Sequence, residues 1–164
     1  MAAPLLLFVC TANACRSPMA AALADQAAKD AGVALRVASA GTATAPGYPA
    51  AAGAREAMGE INLSLEDHRS RPVTRELISE AALVVTATQR QKQALSQFFG
   101  PAQARIVSFG ELTGRGDLAD PIGGNAAAFR ATRDLLRSEM PKVLAAVAAV
   151  ADASLAGADQ GPSK

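Results

Sequence analysis

Near the start of the chain, Cys10-Thr11-Ala12-Asn13-Ala14-Cys15-Arg16-Ser17-Pro18-Met19 brings together the residue types needed for attack on an oxyanion ester. A thiol can form a covalent intermediate. A guanidinium grips two oxygens of one anion in a planar fork, which a lysine cannot do. On a loop that curls round one anion, Cys10 points at the centre and Arg16 closes the rim. Successive backbone amides, a helix N-terminus and the nearby cation then bind the anion and favour the thiolate. Ser17 is placed to cap that helix and to hydrogen-bond the sulfur. Taken singly, Cys10 could be core, Arg16 a solvated cation and Ser17 only a cap. Their combination on one turn points to catalysis.

The turn needs a strand before it and a helix after it. Leu5-Leu6-Leu7-Phe8-Val9 is a short apolar run of the kind a fully buried strand requires. Met19 to Asp30 is alanine-rich, with Pro18 at its first turn and Gly32 as its stop, and so predicts a helix. Cys10 therefore sits at the carboxyl end of a buried strand, where open α/β sheets bind ligands.

Further along, strands are expected at Val33–Ala38, Ala82–Thr86 and Arg105–Phe109. Helices are expected at Ala50–Glu60, from a Thr74 cap to Glu80, at Thr88–Phe99 with Gly100-Pro101 as its stop, and at Asn125–Val150. Pro141 should kink or break the last of these. Polar, proline-marked loops fill Ala43–Pro49, Asp67–Thr74 and Gly116–Gly124. Strands alternating with helices imply an α/β fold in three layers, with a parallel sheet flanked by helices. One domain, 1–152, is followed by a tail, 153–164, whose Ala, Gly, Asp, Pro and Ser content predicts a flexible end.

A net charge of +1 with scattered lysines and arginines argues against nucleic acid as partner. No apolar run in the sequence reaches membrane-spanning length, so no membrane is expected as partner either. Two cysteines five apart are not a disulfide framework; they suggest a reducing cytoplasm and redox-capable chemistry. His68 is the only histidine, so no metal site is indicated and no cofactor is expected.

Val9 to Ala20 resembles the signature of the low-molecular-weight protein-tyrosine-phosphatase family, V-C-x-G-N-x-C-R-S-P, which includes a bacterial protein-arginine-phosphatase branch. Ala12 replaces the signature glycine. If the loop requires positive φ at that position, alanine costs about 1 kcal/mol. The likeness extends from Leu5 to Val150 and implies four strands in the order 2-1-3-4. It implies Cys10 as nucleophile, with phosphate held by Thr11, Ala12, Asn13, Ala14, Cys15 and Arg16. It also implies Asn13 as the brace of the loop, supported by Ser39 and His68. Of the carboxylates in Gly116-Asp117-Leu118-Ala119-Asp120-Pro121, Asp120 matches the family's late D-P motif and so is expected as general acid and base; Asp117 is the local rival.

The reading that follows is a cytoplasmic, monomeric, cysteine-dependent phosphomonoesterase acting on phosphorylated protein or peptide. Phosphotyrosine is expected ahead of phosphoarginine. Tyrosine-directed relatives carry aromatic walls after S-A-G-T and after D-P. Here Tyr48 and Ile122 stand in those regions, with Ala14 as a small pocket floor. Thiol-dependent arsenate reduction and a weakly catalytic anion-binding role, the latter motivated by Ala12, remain the alternatives.

Overall fold

The structure, a computed structural model, describes residues 2–100 and 105–158. Its framework is a parallel sheet of four strands: β1 (Leu5–Cys10), β2 (Arg36–Gly41), β3 (Leu83–Thr86) and β4 (Arg105–Ser108). The spatial order is β2-β1-β3-β4, as the resemblance implied. β1 pairs with β2 from Leu5↔Arg36 to Cys10↔Gly41 and with β3 from Leu6↔Leu83 to Val9↔Thr86. A central parallel strand covered on both faces must be apolar throughout, and all six residues of β1 are buried.

Alternation along β1 divides the core in two. Leu6, Phe8 and Cys10 face a cluster shared with Met19, Leu23, Met58, Leu136 and Val143. Those partners lie on α1 (Arg16–Asp30), α2 (Ala52–Gly59) and α6 (Ala126–Ala158). Leu5, Leu7 and Val9 face the other cluster, with Ile78 of α3 (Arg75–Glu80) and Leu95 of α4 (Gln89–Phe99). A short α5 (Phe109–Thr113), capped by Ser108, follows β4. The result is the expected helix–sheet–helix sandwich. Truncating a fully buried residue such as Leu6 to alanine costs about 2–5 kcal/mol in such a core.

Five sequence expectations shift. β2 begins at Arg36, not Val33, because Val33 belongs to the end of α1: its N–H reaches Ala28 O at 2.8 Å past Gly32, whose φ is +68°. This six-to-one bond over a left-handed glycine closes the helix and leaves Val33 outside the sheet. α1 starts at Arg16 with Cys15 as its N-cap, so Ser17 lies inside the helix and caps nothing. α6 continues through Pro141 unbroken. It also runs to Ala158, so residues 153–158, placed by composition in the flexible tail, are helical; residues 159–164 lie outside the described residues. As one helix, α6 is long and apolar enough by length and composition to cross a membrane, contrary to the reading of the sequence. Its Leu136, Met140, Val143 and Val147, however, are buried in the core.

Candidate active site

β1 delivers Cys10 to the mouth of the sheet, and the chain then turns through Thr11–Cys15 into α1. Cys10 is 2 % exposed, and its Sγ lies 3.0 Å from Ser17 Oγ. Ser17 Oγ also accepts from Asn13 Nδ2 at 2.8 Å, which leaves its own proton free to point at the sulfur. Ser17 thus meets the second of its two expected contacts without the first.

Asn13 is the hub. It is fully buried with φ +56°, a left-handed conformation that asparagine tolerates better than most residues. Its Nδ2 donates to Ser39 Oγ at 3.0 Å and its Oδ1 accepts from Arg71 N at 3.0 Å. Its carbonyl oxygen accepts from His68 Nε2 at 2.7 Å, which fixes the imidazole as the Nε2–H tautomer. Burial lowers the His68 pKa below 6.5, helped by Arg69 and Arg71 and opposed by the bond to Asn13. The loop's non-glycine positive φ is therefore at Asn13. The strain anticipated at Ala12 does not arise, and with it goes the motive for a weakened site.

The flank of the loop explains Ser39-Ala40-Gly41-Thr42. Thr42 N bonds Cys10 O and Ala43 N bonds Thr11 O, each at 2.9 Å, so β2 runs on beside the loop. A Cβ at Gly41 would sit 2.6 Å from Thr11 O, closer than any side chain allows.

Arg16 is 6 % exposed and reaches across to the loop after α5. Its Nη1 donates to Leu118 O at 3.0 Å and its Nη2 lies 3.5 Å from Asp120 Oδ2. Asp120 Oδ1 accepts from Ile122 N at 3.1 Å. Asp117 instead accepts from Gln89 N at 2.9 Å, at the start of α4. Of the two rival carboxylates, the fold brings Asp120 to the cradle and turns Asp117 to a helix end. Cys15 is buried, and its thiol is pushed up to about 12, first by burial, then by Asp120 and Cys10, against Arg16. That suits a packing residue more than a reactive one.

Three contributors escape the sequence reading. Leu118 is buried, binds Ala87 O through its N–H and holds Arg16 through its carbonyl; a lone leucine in a polar loop was its only signal. Gln91 donates through Nε2 to Thr11 Oγ1 at 3.0 Å while its Oε1 accepts from Thr88 N. The T-x-x-Q pattern announces the cap but not the tie to the loop. Arg71 stands in a polar loop, where an arginine is ordinarily solvated, yet its backbone N–H binds Asn13 and its Nε binds Ser39 O. Of the expected pocket residues, Ala14 is partly buried and bonds Ala51 N through its carbonyl, while Tyr48 and Ile122 are 62 % and 54 % exposed.

A strand–turn–helix anion cradle with a thiol at its base, an arginine at its rim and a carboxylate on a facing loop defines a class of phosphate-handling protein. Residues 5–153 match the family model of the low molecular weight phosphotyrosine protein phosphatases. The chain belongs to that family, whose members are hydrolases. It is 40% identical over 133 residues to a protein-arginine-phosphatase of Bacillus subtilis, covering 80% of this chain and 88% of that one. It is 32% identical over 131 residues to the low molecular weight protein-tyrosine-phosphatase Wzb of Salmonella typhi, covering 80% and 85%. A solved structure of the arginine phosphatase YwlE, a mutant with a phosphorylated active-site serine, superposes with TM-score 0.81 at 37% identity and covers 85% of this chain and 92% of that one.

Proposed function

We propose that the protein dephosphorylates phosphorylated proteins through a cysteinyl-phosphate at Cys10, with Asp120 as general acid and then general base. The observation that carries the reading is the buried pairing of Cys10 Sγ with Ser17 Oγ at 3.0 Å, on a loop whose rim arginine is held facing Asp120. Ser17 Oγ, 3.0 Å away, can donate its proton to the sulfur that attacks. Cys10 attacks phosphorus in line, forming the S–P bond as the ester P–O bond breaks. Asp120 gives its proton to the departing oxygen, a step worth about 10²–10⁴ in rate. The amides from Thr11 to Arg16 and the Arg16 guanidinium hold the equatorial oxygens as charge develops. Water, deprotonated by the Asp120 carboxylate, then breaks the S–P bond and releases phosphate with Cys10 as thiolate.

The relative with a phosphorylated active-site serine supports covalent transfer, since in that protein the residue replacing the nucleophile carries the phosphoryl group. Two free cysteines accord with a reducing cytoplasm, and the enzyme is read as a monomer. Phosphotyrosine is read as the better substrate, because Tyr48 and Ile122 are exposed in the regions where tyrosine-directed relatives carry aromatic walls. Phosphoarginine is the second reading, favoured by the 40% identity to the Bacillus subtilis arginine phosphatase. Values of kcat/KM on peptides matched except for phosphotyrosine or phosphoarginine test this. A preference above tenfold for phosphoarginine, about 1.4 kcal/mol, would reverse the substrate assignment and leave the chemistry at Cys10 standing. Absence of turnover on any phosphomonoester would remove the reading altogether.

A further inference from the structure

A groove leaves the cradle along α4. Thr11, Arg16 and Thr42 line its first part together with Arg90, Gln91 and Ala94, in a cleft of about 440 Å³. Thr42 and Ala94 also line an adjoining cleft of about 260 Å³ that extends to Val73, Leu95, Phe98 and Phe99. Volumes of this order hold side chains or small ligands. The near end is fixed by the bond from Gln91 Nε2 to Thr11 Oγ1.

The two ends differ in chemistry. At the near end the charged lining residues are Arg16 and Arg90. Arg16 is engaged by Leu118 and Asp120. Arg90 is exposed and takes part in no ion pair among the described residues. At the far end Phe98 is 80 % exposed, the most exposed large apolar side chain among the described residues. Its ring stands edge-on to Phe99 with centroids 5.0 Å apart, and the Arg75 guanidinium lies 5.9 Å from the Phe99 ring centroid. Phe99 is thus contacted by both Phe98 and Arg75, while the Phe98 ring is largely bare. Arg90, Ala94 and Phe98 recur every four residues on one face of α4, with the smallest side chain in the middle.

Resting on the phosphatase reading above, we infer that this groove is a binding site for the polypeptide flanking the phosphorylated residue, one that selects an acidic side chain near the phosphoryl group and an apolar one beyond it. Continuity with Arg16 decides the occupant: whatever lies in the groove abuts the group being dephosphorylated. Unpaired positive charge at Arg90 selects an acidic neighbour, and the exposed Phe98 ring selects an apolar one. The spacing follows from geometry. Eight residues of helix separate Arg90 from Phe98, about 12 Å, which an extended chain spans in about three or four residues. The acidic residue therefore stands close to the phosphoresidue, and the apolar residue three or four positions further on the same side.

The test measures fluorescence-anisotropy affinities of the full-chain Cys10→Ser protein for phosphotyrosine peptides, in parallel with wild-type turnover of the same peptides and of para-nitrophenyl phosphate. The peptides carry Asp or Lys near the phosphotyrosine, and Leu or Ser at the distal position, on either side in turn. Asp with Leu on one side should bind at least tenfold more tightly than Lys with Ser. Arg90→Glu should reverse the Asp-over-Lys preference, and Phe98→Ser should remove the Leu-over-Ser preference alone. Both variants in the Cys10 background should keep wild-type para-nitrophenyl phosphate turnover within twofold. Affinities indifferent to flanking sequence, or an Arg90→Glu protein that keeps the preference for Asp, would overturn the inference. Flank-dependent affinity without turnover of any phosphomonoester would instead sink the cysteinyl-phosphate reading and leave the groove.

Discussion

Between Cys10 and Ser17 the loop is pinned from every side. Asn13 alone joins Ser17, Ser39, Arg71 and His68, and β2 adds two backbone bonds. The segment from Asp117 to Gly124 is held at a few points: Leu118 and Pro121 are buried, while Asp120 is half-exposed and touches the cradle through one 3.5 Å contact. The contrast fits two tasks. A cradle that stabilises developing charge must not reorganise during the reaction, whereas a group that first gives and then takes a proton must meet the leaving group and later water. On the proposed mechanism, the densest bonding lies where charge is held and the sparsest where protons move.

The sharpest way to break the comparison is at the cradle. Cys10→Ser should abolish turnover while phosphate still binds, because serine is a weak nucleophile at its ordinary pKa. Arg16→Lys should lose at least ~100-fold in kcat/KM by exchanging a fork for a point charge. Steady-state kinetics with isothermal titration of phosphate reads both. Retained activity in Cys10→Ser would end the covalent mechanism.

On the acid arm, Asp120→Asn should lower kcat by ~10²–10⁴ without changing thermal stability, since the side chain is half-exposed. The loss should shrink for aryl phosphates whose leaving group needs no proton. Asp117→Asn should leave kcat near wild type and lower the melting temperature slightly, because it weakens a bond at the start of α4 worth about 1 kcal/mol. If Asp117→Asn is the change that damages kcat, the arm has been assigned to the wrong carboxylate.

Asn13→Ala tests whether the cradle's rigidity comes from its hub. It strands the Ser39 hydroxyl and the Arg71 N–H and puts alanine at φ +56°. A loss of about 3 kcal/mol in denaturant unfolding, with kcat down at least tenfold, is expected. Ser39→Ala should cost only about 1 kcal/mol. Equal effects from the two substitutions would show that Asn13 is one contact among many.

Legibility in the sequence follows the same divide. β1 and α1 were readable because a buried strand must be apolar and the cradle has local spacing, whereas the sheet order followed from the family resemblance alone. Val33 was misplaced since β propensity cannot reveal that a six-to-one helix cap claims its N–H. Residues 153–158 are helical where a flexible tail was expected, because alanine's helix propensity outweighs the disorder suggested by composition. Ala12 misled because the family's glycine position is not the one with positive φ. Leu118 and Gln91 act through long-range bonds to Arg16 and Thr11, which no local pattern encodes.

The smallest effect expected is one of pH, and it isolates the outer support of the cradle. His68 is held below its ordinary pKa of 6.5 chiefly by burial, so the unfolded chain takes up that proton before the native one does. More protons bound when unfolded means that stability rises with pH across the interval between the native value and 6.5. It is fully present above 6.5 and is lost as pH falls through the native value. Melting temperatures measured from pH 7.5 downward should therefore fall more steeply below 6.5 for wild type than for His68→Gln. Glutamine carries an N–H donor for the Asn13 carbonyl but no titrating group. The variant should also keep kcat within a few-fold at pH 7, because His68 acts through Asn13 and touches neither Cys10 nor Asp120. Parallel acid slopes for the two proteins would mean that His68 is solvated in solution and that the cradle is pinned from one side fewer than the structure shows.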